Sequence, residues 1–332
     1  MPIVDHNTDF GSAFQPVLYT VSGADPSEAT EVEVYANNIL QGKKRYRGAS
    51  SYSVNIAPYL QSSFRIEPQN AGGWLRKTTD QRCVTASIGY RDERTTARLM
   101  TAGISTLSIG NWLLSGPRRK RIKATETDEV SFIGSGNLFV HVEIITRQQF
   151  LFSFDTETLV STNDMVTLCI SGWEIDDYLR GLAGLNLSFE DLYRVEVSVM
   201  NGSTLYLPPI TWMGDPTPGG VRVKWINRLG AIDCYTFRGT HTTLEKIDKD
   251  TAQLSTGLRQ VGAKVTTEHT VFSDYESDEA LQWIAGVVSA PRVWVDGIEV
   301  VTTSDRVGIR NATPGQIELT YNACRTLRAQ SL

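Results

Sequence analysis

Arg194-Val195-Glu196-Val197-Ser198-Val199 alternates polar and apolar side chains strictly, and Asn201-Gly202 follows one residue later. A period of two is the pattern of a half-buried strand, and Asn-Gly is the strongest short hairpin signal a sequence carries. Leu205-Tyr206-Leu207 supplies the returning strand, which Pro208-Pro209 is expected to end. The same grammar occurs upstream. Glu31-Val32-Glu33-Val34-Tyr35 alternates, Asn37-Asn38 offers a turn that tolerates positive φ, and Tyr46 and Tyr52 to Ile56 continue the alternation until Pro58-Tyr59-Leu60. The two segments read as modules of one kind, each a meander of short antiparallel strands.

Working outward, further strands are expected over Val84 to Ile88, Thr96 to Met100, Leu138 to Ile145, Phe150 to Phe154 and Val166 to Ile170. Helices are few. Ile175 to Leu182 reads as a short helix and Leu244 to Lys249 as a weak candidate. Asp278 to Val288 is the best one, with Ser277 as N-cap, Asp278 and Glu279 in the first turn, Leu281, Ile284 and Ala285 on one face, and Pro291 as the stop. Val293-Trp294-Val295, a turn at Asp296-Gly297, the return at Val300-Val301, then Ile309 and Gln316 to Tyr321 complete the chain as strands. The expected class is mainly β, with two or three β-sandwich-like modules and a few short helices.

The 332 residues fit two or three domains at roughly 150 residues each. Boundaries are expected near Glu93 and near Pro218, where Asp215-Pro216-Thr217-Pro218-Gly219-Gly220 has a linker's composition. This gives an N-terminal β module over 1–93, a central β-sandwich module over 94–218, and a C-terminal β-rich module with one short helix over 219–332. Apolar residues form 41% of the chain and charged residues 21%, as in folded globular proteins. The net charge of -5 argues against a dedicated nucleic-acid binder. There is no run of about 18 apolar residues, so no membrane span is expected. The opening Met-Pro-Ile-Val-Asp-His lacks a basic start and an apolar core, so no export signal is expected there and synthesis in a cytosol is.

Chemistry-bearing motifs are sparse. Cys83, Cys169, Cys234 and Cys324 are widely spaced without a Cys-x-x-Cys pair, and Cys83 and Cys169 read as small buried hydrophobes. His6, His141, His241 and His269 stand without a Gly-x-Ser-x-Gly elbow, and His141 alternates within a strand. No zincin motif, EF-hand loop or phosphate-binding glycine loop occurs. Two acidic clusters remain, Glu174, Asp176 and Asp177, and Asp274, Glu276, Asp278 and Glu279. Paired carboxylates serve glycoside hydrolysis or calcium binding, but a solvated turn and a helix N-terminus favouring negative charge account for these better. The expectation is therefore no catalytic residue, no cofactor and no metal.

Two stretches stand out as contact candidates. Pro117-Arg118-Arg119-Lys120-Arg121-Ile122-Lys123 holds five cations in six residues and starts in a loop, suited to an acidic protein face or to phosphates. Lys224 to Phe237 reads as a hairpin: a strand with Trp225 and Ile226, a turn at Asn227 to Gly230, and a return with Ile232, Tyr235 and Phe237. Its aromatics suit a core, while Asn227 and Arg228 suit a contact surface. The candidate interaction residues are thus Arg118, Arg119, Lys120, Arg121, Trp225, Asn227 and Arg228.

The set Trp225, Asn227, Gly230, Asp233, Tyr235 and Phe237 resembles a motif in structural proteins of phages and prophages of Bacteroidetes-type bacteria. Val32 through Gly48 to Ile56 is similar to strand modules of such proteins. So is the close of the chain, Trp283 to Ser289, Pro291 to Val295 and Val300 to Ser304. The resemblance implies a virion component of a tail, tail tip or head-tail ring, made in the host cytoplasm and acting through other virion proteins. A homo-oligomer of cyclic symmetry and a part in host attachment go with it. The alternatives are a carbohydrate-binding or adhesin module, with Trp and Tyr stacking on sugars, and a tail-associated glycan hydrolase using the acidic clusters.

Overall fold

The computed structural model describes residues 3–5, 10–68, 82–90, 93–95, 97–103, 110–156, 159–254, 257–304 and 315–323. His6, Trp74, Ile309 and Cys324 lie outside them. The fold is mainly β with three short α-helices among the described residues. No helix among them is long and apolar enough to cross a membrane. The chain forms two compact units, Met1–Pro216 with Asn227–Ile232, and Thr217–Ile226 with Asp233–Leu332.

The first unit begins with two sheets. One orders Ile3–Asp5, Leu18–Ser22 and Ser51–Asn55; the other orders Phe10–Ser12, Arg98–Thr101, Cys83–Tyr90, Thr30–Ala36 and Ile39–Tyr46, with Glu93–Arg94 on Cys83–Tyr90. Tyr19, Val21 and Val54 from one sheet and Val32, Val34, Val84, Ala86 and Ile88 from the other share one buried core. The alternation of Thr30–Ala36 is the cause: every second residue is buried. Asn37 and Asn38 both take positive φ in a two-residue turn whose twist matches that of the strands it joins.

A further sheet of the first unit orders Arg119–Ile122, Thr204–Gly214, Leu192–Asn201, Thr127–Thr146 and Leu151–Asp155, with Leu159–Ser171 also on Thr127–Thr146. Thr127–Thr146 is a 20-residue strand with an irregularity between Gly134 and Gly136. From Thr127 to Leu138 it pairs with Leu159–Ser171, and from Leu138 onward it has Leu192–Asn201 on one edge and, at His141 to Ile145, Leu151–Asp155 on the other. Val195, Val197 and Val199 enter the core with Val140, Val142 and Ile144, and with Ile175 and Leu179 of the helix Gly172–Gly181. Each valine so buried contributes about 1.5–3 kcal/mol relative to exposure.

Two hairpin expectations change in detail. The turn is Gly202-Ser203, not Asn201-Gly202: Asn201 pairs with Thr204, and Gly202 at φ 58 takes the first central position. The strand also continues through Pro208-Pro209 to Gly214. Val197 faces Ile210 and Val199 faces Leu207, so two prolines oppose the single residue Ser198 in a bulge. A bulge drops the ladder hydrogen bonds that proline cannot donate. The Trp112 indole N–H donates to the Pro208 carbonyl at 2.7 Å.

The second unit is a seven-stranded sheet ordered Ile232–Phe237, Val221–Ile226, Val293–Val295, Ile298–Thr302, Glu318–Ala323, Gly257–Phe272 and His241–Leu254. The helix Asp278–Ile284 packs Leu281, Trp283 and Ile284 onto Val223, Trp225, Val271 and Leu319. Ser277 caps it, its side chain accepting from the Ala280 N–H. Asp296 and Gly297 form the turn between Val293–Val295 and Ile298–Thr302, both at positive φ. Leu244 to Lys249 is not helical; it lies within the strand His241–Leu254.

Candidate functional site

The strands His241–Leu254 and Gly257–Phe272 pair from His241 opposite Val271 to Leu254 opposite Gly257, with a bulge between Asp250 and Thr251. The next strand, Glu318–Ala323, reaches only Glu268 to Phe272. Beyond Glu268 the hairpin is therefore a two-stranded ribbon among the described residues. At about 3.3 Å per residue, its eleven residues Gly257–Thr267 extend roughly 35 Å past the third strand. We refer to it as the arm.

Local sequence explains the strands but not their solvation. Thr242, Thr243, Ile247, Thr251, Val265, Thr266, Thr267, Thr270 and Val271 are β-branched, which favours extended backbone. Yet His241 to Asp250 are exposed throughout, and Leu244, Ile247 and Leu258 are 65%, 51% and 67% exposed. A two-stranded ribbon without a core beneath it is marginal in water. His241–Leu254 is also the edge of the sheet among the described residues, so its outer side presents a row of backbone donors and acceptors.

The root of the arm is better packed. The His269 ring stacks on Tyr321 at 5.2 Å and 21°, and the His241 ring lies 5.5 Å from that of His269. His241 Nε2 is 3.4 Å from His269 Nδ1, and Thr243 Oγ1 is 3.2 Å from the same nitrogen. Burial, reinforced by the charge His241 would carry, holds His269 below the ordinary imidazole pKa. Burial, with Asp296 adding to it, pushes Tyr321 up to about 12.

The basic run is not a loop but the strand Arg119–Ile122, parallel to Thr211–Gly214. Alternation divides its cations: Arg119 and Arg121 are exposed, as is Arg118 before them, while Lys120 is buried. Lys120 Nζ is 3.2 Å from Asp128 Oδ1, and the other oxygen of Asp128 accepts from the Trp212 indole N–H at 2.8 Å. Beside it Arg82 pairs with Glu129, both buried. Buried charges persist only when paired in this way.

Trp225 is 1% exposed and packs its ring 5.5 Å from Trp283, whose indole N–H donates to buried Asp233 at 2.8 Å. Asn227 is also buried. Its Nδ2 donates to the Leu113 carbonyl at 3.0 Å, and its Oδ1 accepts from the N–H groups of Leu229 and Ala231. Gly230, at φ +83, would place a Cβ 2.4 Å from the Gly103 backbone nitrogen, so only glycine fits. Of this trio Arg228 alone faces solvent. Trp225 and Asn227 thus belong to interiors.

The acidic clusters are engaged in local structure. Asp176 binds Arg180 at 2.7 Å and accepts from the Phe189 N–H at 2.6 Å; these bonds hold its carboxyl low against the opposing effect of burial. Asp274 pairs with Arg238 at 2.8 Å, and Glu276 accepts from the Tyr235 hydroxyl at 3.0 Å. Burial and Glu276 raise the Tyr235 pKa. Among the described residues no group of three metal-ligating side chains converges.

No protein-family model matches the chain, and no curated protein matches it. Among solved structures, one described as "Structural insight into host cell surface retention of a 1.5-MDa bacterial ice-binding adhesin" is similar over 80% of this chain and 88% of that chain, at 11% identity and a TM-score of 0.15. A likeness at that level supports no inference about fold or function.

Proposed function

We propose that the protein is a structural virion protein of a tailed phage, in the tail, tail tip or head-tail ring, and that it works by assembly without catalysis. The arm is the observation that carries the assembly reading. It is a long ribbon with exposed leucine and isoleucine, an open edge and no core beneath it among the described residues, which suits it to packing against another chain. The phage setting rests on the sequence resemblance around Trp225 to Phe237. The arginines Arg118, Arg119, Arg121 and Arg228 are solvent-facing contacts for acidic neighbours in this reading.

A sugar-binding surface is less favoured by the tryptophans. Trp112, Trp212, Trp225, Trp283 and Trp294 are buried, and Trp173 is exposed. Stacking platforms need several exposed rings together.

Two measurements test the proposal. Mass spectrometry of purified virions should find the chain, and its absence would sink the phage reading. Replacing residues 245–267 by a two-residue turn should leave the folded core intact by circular dichroism and abolish incorporation into particles. Normal incorporation without the arm would refute the assembly role.

A further inference from the structure

We propose that the arm's outer strand pairs with the same strand of a second copy of this chain, antiparallel about a two-fold axis through Ile247. This rests on the assembly reading above and names the arm's partner.

Among the described residues the sheet ends at His241–Leu254, and all residues from His241 to Asp250 are exposed. The edge carries Glu245, Lys246, Asp248, Lys249 and Asp250, with Ile247 in their midst. An edge of this charge density repels most strands, and its sequence decides which strand it accepts. A two-fold axis perpendicular to the sheet keeps each face on its own side. Side chains alternate between faces, so a residue must meet one of its own parity, and the axis must pass through a residue.

Placing the axis at Ile247 sets Lys246 against Asp248 and Glu245 against Lys249, each pair occurring twice. Thr243 meets Thr251, and Ile247 meets its own counterpart. Opposite charges directly across a ladder stabilise it and like charges destabilise it. An axis at Glu245, Lys246, Asp248, Lys249 or Asp250 puts two like charges face to face at the centre. An axis at Leu244 avoids this but pairs no charges. The register at Ile247 alone satisfies four ion pairs, and it puts the half-exposed isoleucine at the centre, where a hydrophobic contact excludes most water. Within each copy Lys246 Nζ lies 4.0 Å from Asp248 Oδ1 on one face of the strand, so the second copy completes an alternating square of charge. The result is an isologous contact that closes, joining two seven-stranded sheets edge to edge.

The test uses the whole chain. Ile247→Cys places two thiols directly opposite, where Cα atoms in an antiparallel ladder are about 4.5–5.5 Å apart, within disulfide range. Mild oxidation should link this variant into a covalent dimer. Glu245→Cys alone should not link, whereas Glu245→Cys mixed with Lys249→Cys should. Wild-type protein, whose Cys83 is half-buried and whose Cys169 and Cys234 are buried, is the control for native thiols. By sedimentation velocity, Lys246→Glu should weaken the dimer about tenfold, and Lys246→Glu with Asp248→Lys should restore it. A protein that stays monomeric at its solubility limit, linking strongest at another position, or a double swap that fails to restore association would overturn the proposal. Arm-dependent incorporation into particles by a strictly monomeric protein would sink self-pairing while leaving the assembly reading intact.

Discussion

The hairpin Leu192–Asn201 with Thr204–Gly214 and the hairpin His241–Leu254 with Gly257–Phe272 use the same backbone device to opposite ends. Both are long antiparallel ladders with a bulge. The first is flanked by strands on both sides and sends Val195, Val197 and Val199 into a core. The second has a partner on one side at its root only, and keeps Leu244 and Ile247 in solvent. Strand pairing by itself therefore does not decide where stability resides. What lies beneath and beside the ladder does, and among the described residues nothing lies beneath the second.

If that contrast is right, substitutions should separate the two regions sharply. The largest effect is expected at Asp128, beside the first hairpin. Asp128→Ala leaves the buried Lys120 ammonium and the Trp212 N–H without their carboxylate, and should cost about 3–5 kcal/mol in urea denaturation. A loss below 1 kcal/mol would mean that water already solvates the site. Gly230→Ala comes next, at about 2–3 kcal/mol, since a Cβ there is strained in φ and meets backbone. Its unfolding midpoint should fall by less than that of Asp128→Ala.

The arm root should respond to acid. His269 has a depressed folded pKa, so the unfolded chain binds more protons as the pH falls. The contribution of neutral His269 is whole above the ordinary value of about 6.5 and is lost as pH drops through the lower folded value. Amide exchange protection at Glu268 to Phe272 should decline over that window, and His269→Gln should flatten the dependence. Unchanged protection in the wild type would show that His269 takes up its proton without opening the root. The smallest effect belongs to the arm itself: Ile247→Ala should alter monomer stability by no more than about 0.5 kcal/mol, read at low protein concentration. A large loss would mean that the arm already has a core of its own.

Much of the fold was legible because it follows from local rules. Alternation at Glu31–Tyr35 and Arg194–Val199, turns at Asn37-Asn38 and Asp296-Gly297, and the Ser277 cap each need only near neighbours. The exceptions need distant ones. Pro208-Pro209 stops a regular strand, yet a bulge opposite Ser198 absorbs it, and nothing local encodes the bulge. Arg118 to Lys123 read as a contact loop because the strand it forms requires Thr211 to Gly214, and only that pairing buries Lys120 against Asp128. Asn227 read as a surface turn, but its side chain reaches Leu113, 114 positions earlier.

The arm was the larger omission. Leu244 to Lys249 has the charged, mixed composition of a short helix, and only the threonines around it and the Val265, Thr267, His269, Val271 series opposite mark it as strand. A ladder without a core leaves no apolar period for a sequence reader to detect. The same composition that conceals the arm in sequence also makes it selective in pairing.

The 20-residue strand Thr127–Thr146 imposes an order in time. One edge of it is paired by the strands that follow at once, Leu151–Asp155 against His141 to Ile145 and Leu159–Ser171 against Thr127 to Leu138, whereas the other edge of residues 138–146 waits for Leu192–Asn201. During synthesis that one edge therefore stays open until about 55 further residues have emerged, as contacts of long sequence separation require. Chains stalled in that interval would present residues 138–146 as a sheet edge open on one side, a template for pairing between nascent chains.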